Sequence, residues 1–287
     1  MVKSATTISL ELESKPQSVA VARGMLSAVL ELVGSDPELL DDVKIALSEA
    51  CNNVVLHAYA DASGPLVVEV QLSDLELAVT VRDRGVGIGD GAPTDGRLGV
   101  GLPMMRTLAD RARFRDAAGG GTEVALAFRW DSRGWHSLRT AAQTPGAQAP
   151  HAKPTGDVVV SGCPVVMLAA VLGRIATILA SAARFSVDRL SDLRLLTDAV
   201  AARVGAVSDA PVTFALAIET RRLELALGPF AAGVGAQLLP GPARVPTAFS
   251  LPLLLADEWR NESFEASEVV RVVMTDSAGR PAAGSVS

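Results

Sequence analysis

Two stretches of this chain match at a fixed separation. LELAVTVRDRGVG at 75–87 and LELALGPFAAGVG at 223–235 share LELA and GVG, each 148 residues apart (223 − 75 and 233 − 85). Two further pairs keep the same order: LSEA at 47–50 with LTDA at 196–199, and TLAD at 107–110 with LLAD at 254–257, separated by 149 and 147. Small loop insertions in a duplicated unit leave this kind of drift. At 287 residues the chain has room for two such units, each with its own core.

The composition between the units agrees. Residues 131–156, DSRGWHSLRTAAQTPGAQAPHAKPTG, are rich in Ala, Pro, Gly, Thr and Gln, lack an apolar period and read as a linker. Residues 277–287 read as a loose tail. The expected organisation is a first domain over 1–130, a linker over 131–156, a second domain over 157–276 and a tail over 277–287.

Within the first unit, TISLELE at 7–13 is a strand and 17–33 carries a helical period. Asp36-Pro37-Glu38 opens another helix with a capping acid, proline at the first position and an acid in the first turn; it is expected to run to about Tyr59. PLVVEVQLSD and LELAVTVRD form a hairpin. A glycine-rich loop, a helix near 100–110 and a closing strand, GTEVALAFRW, come next.

The helix ending near Tyr59 contains LSEACNNVVLHAY. Glu49, Asn53 and His57 recur every four residues and therefore share one stripe of a largely apolar helix. Asn52 faces elsewhere. An acid then closes a strand and a glycine turn comes at once in DRGVGIGD, 83–90, with Asp83, Gly85 and Gly87. Glycines let backbone approach a planar ligand, and a carboxylate accepts from an exocyclic amine. RLGVGLPMM at 97–105 opens the next helix with Gly99, Gly101 and Leu102, and N–H groups at a helix N-terminus suit phosphate. Thr122 adds a hydroxyl at the start of the last strand.

With these four boxes in order, residues 6–130 resemble the ATP-binding superfamily shared by gyrase, histidine kinases and mismatch-repair ATPases, and within it the anti-sigma-factor serine kinases. The resemblance implies an α+β fold: two tandem α/β-sandwich domains of the histidine-kinase-like ATPase type, each a mixed or antiparallel sheet with helices on one face. It implies ATP and Mg²⁺ as cofactors. Asn53 would hold the metal through its amide oxygen. Glu49 would be the general base for a serine hydroxyl, or would orient water. Asp83 would bind the adenine amino group between Gly85 and Gly87, with Thr122 reaching the base directly or through water. Gly99, Gly101 and Leu102 would belong to the lid over the phosphates, where Arg97 is solvated or adds charge. His57 would make a structural hydrogen bond at the pocket's base.

The implied partners are a sigma factor, an anti-sigma-factor antagonist, or both. The implied activity is a protein serine/threonine kinase; a nucleotide-gated binding switch without much transfer is the alternative. Histidine autokinase activity in cis is excluded, because His57 is the chain's first histidine. The second half does not resemble the transducer domain of gyrase-type enzymes. It also departs from the boxes: Ala231 stands at Asp83's offset, Ala202 or Arg203 at Asn53's, and Asp198 is the nearest analogue of Glu49. It is expected to be a degenerate copy that binds no nucleotide and takes a partner's place, giving an intrachain pseudo-dimer; a homodimer is the other arrangement.

A formal charge of −6 and a pI near 5.2 disfavour a nucleic-acid surface. The two cysteines, Cys51 and Cys163, are too few for a disulfide scaffold and fit a reducing cytoplasm. The apolar run 165–183 is interrupted by Arg174 and reads as a buried helix, so no membrane span is expected.

Overall fold

Strict alternation builds the first strand. In β1 (Thr6–Glu13), Ile8, Leu10 and Leu12 are buried while Glu11 and Glu13 face solvent. The computed structural model describes residues 5–60, 62–87, 101–117, 119–131, 133–142, 153–240 and 251–277. After β1 come α1 (Pro16–Leu32), α2 (Pro37–Asn53), β2 (Pro65–Leu72), β3 (Glu76–Asp83), α3 (Gly101–Leu108), β4 (Arg111–Asp116) and β5 (Thr122–Arg129). The same order returns in β6 (Val158–Cys163), α5 (Val165–Ala182), α6 (Val187–Val207), β7 (Val212–Glu219), β8 (Arg222–Ala231), α7 (Gly235–Leu238), β9 (Glu258–Phe264) and β10 (Ser267–Thr275).

The strands form one antiparallel sheet in the order β4-β5-β3-β2-β1-β6-β7-β8-β10-β9. The two halves mirror each other about the β1–β6 pair, where Leu10 lies opposite Val160 and Glu11 opposite Val159. Inward residues of both halves join helix residues in a single apolar core. The opposite face of the sheet carries ion pairs, among them Arg82 with Glu69 and Glu123 in the front lobe and Arg271 with Glu224 and Glu262 in the back.

Helix packing reinforces the strand junction. A Cβ at Gly24 of α1 would lie 2.4 Å from Ile178 Cδ1 of α5, so glycine lets these two helices approach closely. Arg174 Nη2 of α5 reaches Glu31 Oε2 of α1 at 2.5 Å. By length and composition α5 could cross a bilayer. Here its Met167, Leu168, Val171, Leu172 and Ile175 are buried in the shared core.

Two segments differ from expectation. The helix opened by Asp36, whose Oδ1 accepts from Glu38 N at 2.8 Å, does not run uniformly to Tyr59. It is α-helical to Asn53 and then makes a π turn over Val54–Ala58. Within the stretch read as a linker, α4 (Arg133–Ala142) is helical, and Trp135 is completely buried. One large side chain with a place in the core outweighs a composition typical of connections.

Candidate functional site

Helix geometry puts Glu49 and Asn53 one turn apart at the C-terminal end of α2. Both are half-buried. Among the described residues neither side chain has a hydrogen-bond partner, which leaves an amide oxygen and a carboxylate uncommitted beside each other. Glu49 faces the start of α3, where a Cβ at Gly101 would stand 2.9 Å from its Oε2. Leu102, the next residue, is partly buried against the core. Thus the acid and the opening turn of α3 share one place.

Asp83 ends β3 and is 4% exposed. Its Oδ1 accepts from Gly85 N at 2.8 Å and from Thr122 N at 3.1 Å. Those bonds hold the carboxylate in one orientation and leave Oδ2 to accept from a ligand amine. Gly85 sits against backbone: a Cβ there would be 2.0 Å from Ala58 O. Gly87 has φ +77, and its Cβ would meet Asp116 Oδ1 at 2.9 Å. The bond from Thr122 N thus joins the end of β3 to the start of β5, and the threonine hydroxyl takes no part in it.

His57 departs from the expectation. It lies in the π turn, is exposed, and makes no hydrogen bond among the described residues. The change of helical period after Asn53 turns it off the α-helical stripe that the four-residue spacing suggests. Asn52 is half-buried beside the stripe. Arg97 and Gly99 lie outside the described residues. A cavity of about 640 Å³ touches Asp83 together with Leu66, Arg82, Arg84 and Gly119, but is not lined by Glu49 or Asn53.

Two contributors do not stand out in the sequence motifs. Gly121 has φ +86, and a Cβ there would lie 2.2 Å from Asp83 O; only glycine lets the β4–β5 turn pass over the acid. Tyr59 accepts from Arg84 N at 2.8 Å and donates to Pro65 O at 2.7 Å. It is the chain's one tyrosine and directly succeeds the polar stripe, a signal available in the sequence.

The back lobe is built differently at each matching position. The N-caps Asp36 and Ser186, and buried pairs such as Val43 with Leu193 and Ala50 with Val200, are 150 residues apart (186 − 36, 193 − 43, 200 − 50). Arg203 therefore stands at Asn53's place and Ala199 at Glu49's; Asp198 corresponds to Ser48 and is not the analogue of the acid. Arg203 donates to Gln237 O at 3.0 Å and to Leu239 O at 2.7 Å.

At the end of β8 the inward residue is Phe230, 4% exposed, whereas Ala231 is exposed. The cause is a bulge: Phe230 pairs with Glu268 and Leu227 with Val270, so β8 carries one extra residue. Glu268 is buried, and its Oε2 accepts from Gly235 N at 2.7 Å and Ala236 N at 3.3 Å.

Residues 12–128 match the model of the histidine kinase-like ATPase domain. An anti-sigma F factor of Pasteuria penetrans is 34% identical over 129 residues, covering 41% of this chain and 86% of that protein. The serine-protein kinase RsbW of Bacillus licheniformis is 34% identical over 134 residues, covering 42% of this chain and 84% of that one. A solved structure of the RsbU and RsbW domains of a Mycobacterium tuberculosis protein is 28% identical, with a TM-score of 0.34; the match covers 42% of this chain and 32% of the other.

Proposed function

This chain belongs to the anti-sigma-factor and serine-protein kinase family of histidine kinase-like ATPases, and from that membership we propose that its front lobe is an ATP-dependent protein serine/threonine kinase acting on an anti-sigma-factor antagonist, and thereby controlling a sigma factor. The observation that supports transfer, rather than binding alone, is Glu49: its uncommitted carboxylate lies at the start of α3, beside the amide of Asn53.

The residues suit the implied ligands. Asp83, fixed by Gly85 and Thr122, offers one acceptor to the adenine amine, and Gly85 lets the turn after it pack directly against the Ala58 backbone. Asn53 would hold Mg²⁺, which takes hard oxygen ligands and usually shares them with substrate phosphates. When bound, the metal supplies charge neutralisation at the phosphates. Glu49 would take the hydroxyl proton of the substrate serine as its oxygen bonds to phosphorus and the bond to the departing diphosphate breaks.

The back lobe, residues 157–276 in this reading, takes no nucleotide. Past the bulge Phe230 stands at the register of Val81 and Ala232 at that of Asp83, and neither has an acceptor for an amine. The Glu268 carboxylate is engaged with backbone N–H groups, and the guanidinium of Arg203 stands where the front lobe has the Asn53 amide. Burying an exocyclic amine there without an acceptor would cost about 1–3 kcal/mol. This lobe instead occupies the face formed by β1 and α1 and makes the chain an intrachain pseudo-dimer. The Leu10–Val160 register and the Glu31–Arg174 pair support that role.

Incubating the protein with labelled ATP and candidate antagonist proteins tests the activity. Transfer that disappears in Glu49→Ala while ATP still binds supports the kinase. ATP-dependent partner binding without transfer in the unaltered chain would replace it with a nucleotide-gated switch.

A further inference from the structure

The end of the helix bearing Glu49 and Asn53 is tied directly to the turn after Asp83. Three successive backbone N–H groups of that turn are engaged. Arg84 N donates to Tyr59 Oη at 2.8 Å, Gly85 N to Asp83 Oδ1 at 2.8 Å, and Val86 N to Ala58 O at 3.1 Å. Two of the three acceptors, Ala58 and Tyr59, come from the π turn and the residue after it. A π turn adds a residue to a helical repeat and re-aims the chain beyond it, and such turns recur at functional sites.

Tyr59 is itself fixed. Its hydroxyl donates to Pro65 O at 2.7 Å, and its ring lies where a Cβ on Gly64 would be, 2.2 Å from Cε1. Burial, foremost, raises the phenol above its ordinary value. The back lobe ties α6 to the segment after β8 by another route, Arg203 on Gln237 O and Leu239 O, and a link through backbone N–H groups of the turn does not occur among its described residues. There α6 stays α-helical to Val207, and Gly235 N and Ala236 N are held by Glu268. Among the described residues the tyrosine tie belongs to the lobe with Glu49, Asn53 and Asp83.

We infer that Tyr59 is a positioning residue for purine discrimination: by holding Arg84 N from the end of the Asn53 helix, it sets where the Asp83 carboxylate meets the six-position of the base. The inference rests on the assignment of Asp83 to the adenine amine. Losing one anchoring hydrogen bond of ordinary strength loosens the carboxylate by a modest factor and does not remove it.

The test is equilibrium binding of ADP and of inosine diphosphate, which carries an oxo group where ADP has the amine. The proteins are the full chain, Tyr59→Phe, Gly64→Ala and Asp83→Asn, each with a thermal melt. Gly64→Ala displaces the Tyr59 ring without altering Asp83, and it stands in if Tyr59→Phe fails to fold. The preference for ADP is expected to narrow roughly fivefold to tenfold in Tyr59→Phe and Gly64→Ala, and to vanish in Asp83→Asn. A lowered melting temperature with an unchanged ratio in Tyr59→Phe and Gly64→Ala, alongside a lost preference in Asp83→Asn, would overturn the role of Tyr59 alone. A full preference for ADP in Asp83→Asn would overturn the base-recognition assignment, and this inference with it.

Discussion

Arg203 occupies in α6 the position that Asn53 occupies in α2, counted from matching N-caps through matching buried faces. One residue ends its helix as an uncommitted amide; the other grips two backbone carbonyls, Gln237 O and Leu239 O. The same helical place therefore leaves an amide uncommitted in one lobe and serves internal structure in the other. Arg203→Ala should lower stability by about 1.5–3 kcal/mol, the range for hydrogen bonds to a charged group, and leave nucleotide affinity unchanged. Chemical denaturation alongside a nucleotide titration checks both halves of that statement.

Asn53→Ala should have the opposite profile. Stability should change little, because the amide has no partner among the described residues. Nucleotide affinity should lose most of its dependence on Mg²⁺, which titrations with and without a chelator measure.

Glu49→Ala should reduce phosphoryl transfer by about 10²–10⁴-fold, the usual cost of removing a general base. Nucleotide affinity should stay within a small factor of the unaltered chain. Single-turnover transfer with a saturating antagonist substrate separates the two effects.

Gly121→Ala should damage the site from outside its motifs. The added Cβ would meet Asp83 O at 2.2 Å, and φ +86 is a conformation that alanine adopts at a cost of about 1–2 kcal/mol. A fall in melting temperature together with a loss of ADP affinity is expected. Gly119→Ala, also at positive φ but with nothing near its Cβ, should spare affinity by comparison.

Acid should weaken the front lobe through Glu123. The hydrogen bond from Arg82 holds this carboxyl below its ordinary 4.5, opposed by burial and reinforced by Arg115. A depressed folded value means the contribution is present above 4.5 and lost as pH falls through the lower folded value. Glu123→Gln should therefore be less stable at neutral pH and should show a flatter decline below 4.5 in denaturation curves.

The site is more legible in the sequence than its surroundings are. Glu49, Asn53 and Asp83 stand out because polar groups at fixed spacing in apolar elements have few structural reasons to be there, and the coordinates bring each into the expected element. Gly121 gives no such signal, because its reason lies in a neighbour 38 residues away (121 − 83). Letter matching puts Ala231 at the place of Asp83 in the back lobe, whereas a bulge shifts the strand by one without changing the LELA and GVG matches. Likewise, LSEA matches LTDA by letters at 149, while burial and capping align the helices at 150. Trp135 lies in a segment whose average composition hides one core side chain. Patterns with a local cause can be read; those set by a distant contact cannot.

The central claim is that one lobe of this chain binds nucleotide and the other does not. Titration calorimetry of the full chain with MgATP tests it most directly. The account predicts one site per chain, its affinity for MgATP clearly weakened in Asp83→Asn. Two sites per chain, or a single site whose heat persists undiminished in Asp83→Asn, would contradict it.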